Sequence, residues 1–178
     1  MARRETAARR YADAAFEIGR ADGTLEGWER DLATLRDALG DEQLRGLVQH
    51  PAVPFADKEK VLRKVASGVG REPLSLALLM IRRGRPGAFD AMVERFRELV
   101  RRERGISLAE VRTARALDEE QRAAISERLR ALTGDRIEMN EVVDESLIGG
   151  LSVRIGDRLY DASVRSRLER LRARLTAV

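Results

Sequence analysis

His50 is the only histidine in the chain, and there is no cysteine. Acid–base, nucleophilic or metal chemistry would therefore have to be built from one imidazole and a scatter of carboxylates. His50 precedes Pro51 in a turn-forming stretch and has no second imidazole anywhere. A zinc site or a histidine-centred relay needs partners that the chain lacks, so His50 is read as a structural or bystander residue. The carboxylate pairs Glu119-Glu120 and Asp144-Glu145 are read as solvated or helix-capping groups, because charged residues make up 36% of the sequence. Gly149-Gly150 lacks the Lys and Ser/Thr that turn a glycine loop into a phosphate cradle. The HExxH, EF-hand and GxSxG patterns are missing as well. No catalytic, cofactor-binding or metal-ligating residue is assigned, and the expectation is a protein that is not an enzyme and carries no cofactor.

With chemistry set aside, the elements themselves carry the message. A chain of 178 residues is long enough to bury a real core, as one domain or two small ones. Aromatic residues are only 4% of the sequence, and its apolar residues fall at helical spacing, which points to a mainly helical protein. The formal net charge is +4, but basic residues alternate with Asp and Glu along most helices, as on a solvated face rather than a nucleic-acid stripe. Tyr11, Phe16, Phe55, Phe89, Phe96 and Tyr160 do not cluster with basic residues as stacking platforms do. No apolar run approaches the roughly 20 residues that span a bilayer. The basic start is not followed by the apolar core of a signal peptide, so cytoplasm is the default compartment.

Along the chain, Ala8, Tyr11, Ala12, Ala15 and Ile18 make a stripe of mostly small residues on a helix from about Thr6 to Arg20. Such a stripe lets another helix approach closely, either a bundle neighbour or a partner laid in a groove. Thr24 is placed to cap a second helix whose apolar face is Leu25, Trp28, Leu32, Leu35 and Leu39, with Gly40 stopping it. Asp41 opens a short third helix holding Leu44, Leu47 and Val48. Val61, Leu62 and Val65 carry a fourth. A fifth, starting at Pro73, is apolar around its circumference and must be surrounded. Pro86 suits the first turn of a sixth, with its stripe at Phe89, Val93, Phe96, Leu99 and Val100.

At Gly105 the periodicity changes. Ser107 to Thr113 alternates weakly as a strand. Asp118 with Gln121 forms a capping-box pattern before a helix on Ile125, Leu129 and Leu132. Ile137, Met139 and Val143 alternate as a second strand. Leu151, Val153 and Ile155 give a third, Gly156-Asp157 a two-residue hairpin, and Arg158-Leu159-Tyr160 the return strand. Gly149-Gly150 provides either a sharp bend or the close approach of another segment. Val164, Leu168, Leu171 and Leu175 make one stripe on an Arg-rich last helix, capped by Asp161 or Ser163 and read as covering the small sheet. The predicted fold is mainly α with a small α+β part: a six-helix N-terminal bundle over 1–105, then a C-terminal α+β domain over 106–178 with short strands and a terminal helix. So small a sheet is expected to be marginal, and mobile until a partner covers it.

Three runs resemble one family. Ile148-Gly149-Gly150, the alternating apolars, Gly156-Asp157, Asp161, Ser163-Val164-Arg165 and Arg167-Leu168 resemble the C-terminal signature of the delta subunit of bacterial F-type ATP synthase, whose mitochondrial counterpart is the oligomycin-sensitivity-conferring protein. Arg9-Arg10-Tyr11-Ala12 with Ala14-Ala15-Phe16 resembles the family's opening helix. Gly84-Arg85 leading into Phe89, Val93 and Phe96 resembles its sixth. The resemblance implies a non-catalytic stator subunit, one copy per complex, peripheral at the cytoplasmic face of the cell membrane without inserting into it. It implies that residues 1–105 bind the amphipathic N-termini of the alpha subunits on the catalytic head, the matching positions being Ala8, Tyr11, Ala15 and Ile18 with Leu78, Leu79 and Ile81. It implies further that residues 106–178 grip the b subunits of the peripheral stalk, for which Gly149, Gly150, Val164, Leu168 and Leu171 are the candidates. The heavy use of Arg departs from the family and leaves the polar part of the interface open. From the residues alone, the alternative is a basic helical adaptor for nucleic acid or anionic lipid; binding to phosphates would weaken steeply with salt.

Overall fold

The computed structural model describes residues 2–176, with side chains described for 5–169 and 172. The chain divides into two compact units, Met1–Val100 and Arg101–Val178. It is mainly helical, with a small four-stranded mixed sheet and a C-terminal helix.

In the first unit the helices are α1 (Ala2–Ala21), α2 (Leu25–Gly40), α3 (Glu42–Gln49), α4 (Phe55–Val65), α5 (Arg71–Arg82) and α6 (Phe89–Glu103), the last running past the division into the second unit. The apolar stripes converge on one core. Ala12, Leu32, Leu35, Leu62, Met80, Met92, Val93, Phe96 and Val100 are fully buried in it. Trp28 is buried too and lies against Phe96, ring centroids 6.1 Å apart, as an aromatic core pair does. Asp41 caps α3 by accepting the Leu44 N–H at 2.9 Å. Asp31 is a buried carboxylate of α2, and its Oδ2 accepts the Gly70 N–H at 2.8 Å, where α5 begins. A negative group there satisfies an otherwise unpaired donor and complements the helix dipole.

Several local expectations are corrected. The first helix begins at Ala2 rather than Thr6. Thr24 occupies the N-cap of α2 but its side chain makes no capping bond. The fifth helix starts at Arg71, with Pro73 inside its first turn, where the missing N–H costs nothing. Pro86 opens a short 3-10 turn, Pro86–Ala88, before α6 rather than the helix itself. Val65, in the last turn of α4, is left exposed.

The second unit consists of β1 (Ile106–Thr113), α7 (Glu119–Thr133), β2 (Arg136–Val143), β3 (Leu151–Ile155), β4 (Arg158–Asp161) and α8 (Val164–Thr176). The sheet order is β2-β1-β3-β4. β1 and β2 run parallel, which requires a crossover, and α7 is that crossover. β3 runs antiparallel to β1, and the β3–β4 hairpin pairs Ile155 with Arg158 across Gly156-Asp157. The capping box is closed, Asp118 Oδ1 accepting the Gln121 N–H at 2.7 Å and Gln121 Oε1 accepting the Asp118 N–H at 3.2 Å.

Ala109 and Val111 of β1, Val153 of β3 and Leu129 of α7 form the buried core, with Ile125, Ile137, Met139, Leu151 and Ile155 packed partly against it. Two apolar residues of the expected stripes stay outside that core. Leu132 in the last turn of α7 and Val143 at the end of β2 are both more than half exposed, since the short sheet offers little to cover the ends of its elements. On α8, Val164 is 38% and Leu168 53% exposed, so the sheet leaves these two positions of the stripe partly uncovered. The side chains of Leu171 and Leu175 lie outside the described residues.

Candidate interaction surfaces

On α1 the small residues turn inward. Ala8 and Ala15 are buried in the bundle's own core, Tyr11 is half-buried against it, and Ile18 is 45% exposed. The stripe that could have been a partner's groove therefore serves mainly to let neighbouring helices of the same unit approach. On α5, Leu78 and Ile81 are buried while Leu79 is 42% exposed. The unit itself supplies most of the surroundings that so apolar a helix requires, and leaves one leucine outward. Ala7 of α1 and Ile81 of α5 line a common cavity of about 630 Å³, together with Lys58, Arg85 and Pro86. Ile81 thus lies near the end of α1 that holds Ala7 and Ala8. Ile18 stands ten residues along it from Ala8, about 15 Å at 1.5 Å per residue. Ala7 and Lys58 were not singled out from the sequence, whereas Arg85 was, as part of the Gly84-Arg85 turn before α6.

In the second unit the glycine pair has a definite physical reason. Gly150 has φ +78°, and a Cβ there would lie 2.6 Å from the Ala162 carbonyl oxygen and 3.0 Å from Ser163 Cα. A Cβ on Gly149 would meet only Val164 Cγ2, at 3.3 Å. The segments are then tied by hydrogen bonds, the Ala162 N–H donating to Leu151 O at 3.0 Å and the Val164 N–H to Gly149 O at 2.9 Å. Both capping candidates act at the start of α8. Ser163 Oγ accepts the Ser166 N–H at 3.2 Å, while Asp161 Oδ1 accepts the Ser163 N–H at 2.9 Å. The Gly149-Gly150 and Ser163-Val164 parts of the signature are thus two sides of one junction, holding α8 at the point where β3 begins. Gly149, Gly150, Val164 and Leu168 are brought together there or one turn along α8.

Charged groups in this unit act locally. Glu141 accepts the Leu117 N–H at 2.6 Å and Arg122 Nε at 3.0 Å, pinning the approach to α7 onto β2. These two bonds, the backbone one first, hold its carboxyl below its ordinary value of 4.5. Asp144 is lowered chiefly by the side-chain and backbone bonds from Ser146. Glu110 is lowered by its bond from Arg112, 2.8 Å away. The sign follows directly. A carboxyl whose pKa falls on folding contributes stability that is present above its unfolded value and is lost as pH drops through the folded one. The second unit is therefore expected to lose stability from about pH 4.5 downward, and Glu141→Gln should flatten part of that dependence. Urea unfolding monitored at residues 106–161 across that range measures it; no acid-side fall would refute the assignment.

His50 is exposed, and its Nδ1 accepts the Ala52 N–H at 3.2 Å within the turn. Among the described residues, no group of three or more His, Cys, Asp or Glu is placed to hold a metal, and no helix is long and apolar enough to cross a membrane.

Comparison with known proteins gives a consistent answer over the length of the chain. The family model described as ATP synthase delta (OSCP) subunit matches residues 7–175. ATP synthase subunit delta of Caulobacter vibrioides is 38% identical over 93% of this chain and 92% of its own. The subunit delta of Salinibacter ruber is 38% identical over 96% and 90%, respectively. A chain in the cryo-EM structure of the Toxoplasma gondii mitochondrial ATP synthase hexamer superposes with a TM-score of 0.69 at 27% identity, covering 96% of this chain and 98% of that one. The alternative of a basic adaptor finds no support in these likenesses. With helices and sheet in the expected order and relatives matching nearly end to end, the chain belongs to the ATP synthase delta (OSCP) subunit family, a non-catalytic component of the peripheral stalk of F-type ATP synthase.

Proposed function

We propose that this subunit works as a two-ended clamp. The helical unit, residues 1–105 in the functional sense, holds the N-terminal segments of the alpha subunits through α1 and α5. The α+β unit, 106–178, holds the end of the b subunits, so that head and stalk resist rotary torque together. One copy per complex, peripheral at the cytoplasmic face of the cell membrane, fits that role. The observation that carries this reading is that each unit leaves apolar side chains outward on the elements the family uses: Ile18 and Leu79 on α1 and α5, Val164 and Leu168 on α8. Exposed apolar residues on these helices favour a helix partner with its own apolar stripe.

Trp28 is buried in the core, so the partner should carry the reporter. Fluorescence anisotropy of a labelled peptide of the alpha-subunit N-terminus, titrated with the intact protein, is expected to saturate and to change little between low and physiological salt. Absence of binding, or binding only to nucleic acid with a steep salt dependence, would overturn the reading.

A further inference from the structure

The cavity of about 630 Å³ in the helical unit is lined from α1, α3, α4, α5 and the turn that leads into α6. Ala7, Val48, Ile81 and Pro86 give it apolar walls. Its charged lining residues are Lys58, half-buried on α4, and Arg85, exposed in the turn. No carboxylate among the described residues lines it. Among those residues, neither the Lys58 nor the Arg85 side chain has a hydrogen-bond or ion-pair partner.

Neither cation is spent on a helix of its own. The turn after α5 satisfies that helix by backbone alone, the Gly84 N–H donating to Ile81 O at 3.0 Å and the Arg85 N–H to Met80 O at 2.9 Å. The Arg85 side chain therefore has no capping duty. Lys58 is the fourth residue of α4, near the end whose dipole disfavours a cation. The carboxylates closest to them in sequence do not answer the charge. Glu59 is bonded by Arg63 at 2.7 Å, Asp57 is exposed outside the lining, and Asp90 lines a separate cavity of about 250 Å³.

We propose that this cavity binds a small organic phosphate, the phosphate held by Lys58 and Arg85 and the apolar body by the walls. Two unpaired cations match a group that carries close to two negative charges at neutral pH. A guanidinium fork with an ammonium beside it suits the phosphate oxygens. The volume lies within the range of small-molecule sites. Of the positions implied for the alpha-subunit contact, Ile81 alone lines the cavity, and the outward Ile18 and Leu79 do not. The inference thus goes beyond the clamp and adds a small-molecule site to the helical unit.

The test uses the intact protein and 2-naphthyl phosphate, with 2-naphthol and 2-naphthoate as controls. Backbone resonances at 48–51 and 84–88 are expected to shift saturably, and the thermal midpoint to rise with probe concentration. Lys58→Gln and Arg85→Gln should each weaken binding about tenfold, while the free variants unfold as the parent does. Both controls should bind more weakly than the phosphate. No saturable shift, shifts centred elsewhere, or undiminished affinity in both variants refutes the site. Equal affinity for 2-naphthol would leave only an apolar cavity, and equal affinity for 2-naphthoate refutes the phosphate class. The alpha-subunit N-terminal peptide is expected not to displace the probe. Displacement would make the cavity part of the head surface, overturning a separate site while the clamp stands. A protein that binds the probe but not the peptide would overturn the clamp and uphold this site.

Discussion

Gly150→Ala is expected to destabilise the C-terminal unit by about 3 kcal/mol, among the largest losses that one methyl group can cause. Two effects combine. A side chain at φ +78° costs roughly 1–2 kcal/mol by itself. The added Cβ would also stand 2.6 Å from the Ala162 carbonyl oxygen, and that atom belongs to backbone that cannot swing aside like a side-chain tip. To make room, the start of α8 must move off β3, weakening the bonds from Ala162 to Leu151 and from Val164 to Gly149. The neighbouring glycine is the internal control. Gly149→Ala meets one methyl of Val164 at 3.3 Å, so its cost should stay under about 1 kcal/mol. Urea unfolding combined with hydrogen exchange at residues 149–164 separates the two variants. Equal, small losses in both would mean that the junction is looser than its geometry implies. Since the buried core of this unit among the described residues is Ala109, Val111, Leu129 and Val153, a loss of that size should show as local opening before the helical unit responds.

The contrast between those glycines also marks how far sequence reasoning reached. It identified Gly149-Gly150 as a place needing either a bend or a close approach, and Gly150 needs both. Which glycine is intolerant depends on where Ala162 returns in space, and that is set by the β3–β4 hairpin rather than by any local pattern. The order of elements was legible for a similar reason. Stripes such as Leu32–Leu35 and Phe89–Val93–Phe96, and the alternation of Leu151, Val153 and Ile155, report directly which side each element buries. Terminal positions were less so. Leu132, Val143 and Val65 obey their stripes but sit at element ends, where the short sheet or the neighbouring helices no longer reach. The period of a stripe says which way a residue points, not whether anything stands opposite.

The interaction surfaces were legible in the same partial way. The stripe with Ala8 and Ala15 allowed either a bundle neighbour or a partner laid in a groove, and in this unit both residues lie in its own core. Val164 and Leu168 were read both as cover for the sheet and as contacts for a partner, and they are 38% and 53% exposed. In both cases the sequence gives an apolar face, and only the tertiary arrangement decides whether self or partner covers it. The positive φ of Ile148, 63°, left no sequence signal, because it runs against the preference of a β-branched residue.

Leu79→Glu is expected to weaken binding of the alpha-subunit N-terminal peptide about a hundredfold, or roughly 2.7 kcal/mol, with little change in unfolding midpoint. Leu79 is 42% exposed on α5, flanked in sequence by the buried Leu78 and Met80. A charge placed there stays solvated in the free protein, where an exposed substitution usually shifts stability by no more than about 0.5 kcal/mol. In the complex the same carboxylate would have to be stripped of water against an apolar helix face, with no designed partner. Leu78→Glu supplies the opposite signature. At 6% exposure its charge must enter the core, so it should damage folding as well as binding. The pair therefore distinguishes an interface from a packing defect. Loss of binding with a native unfolding curve for Leu79→Glu, alongside a depressed one for Leu78→Glu, places the outward face of α5 at the catalytic head. Undiminished affinity in a folded Leu79→Glu protein would move the head contact off this face of α5, leaving Ile18 and the outer side of α1 as the surface to examine.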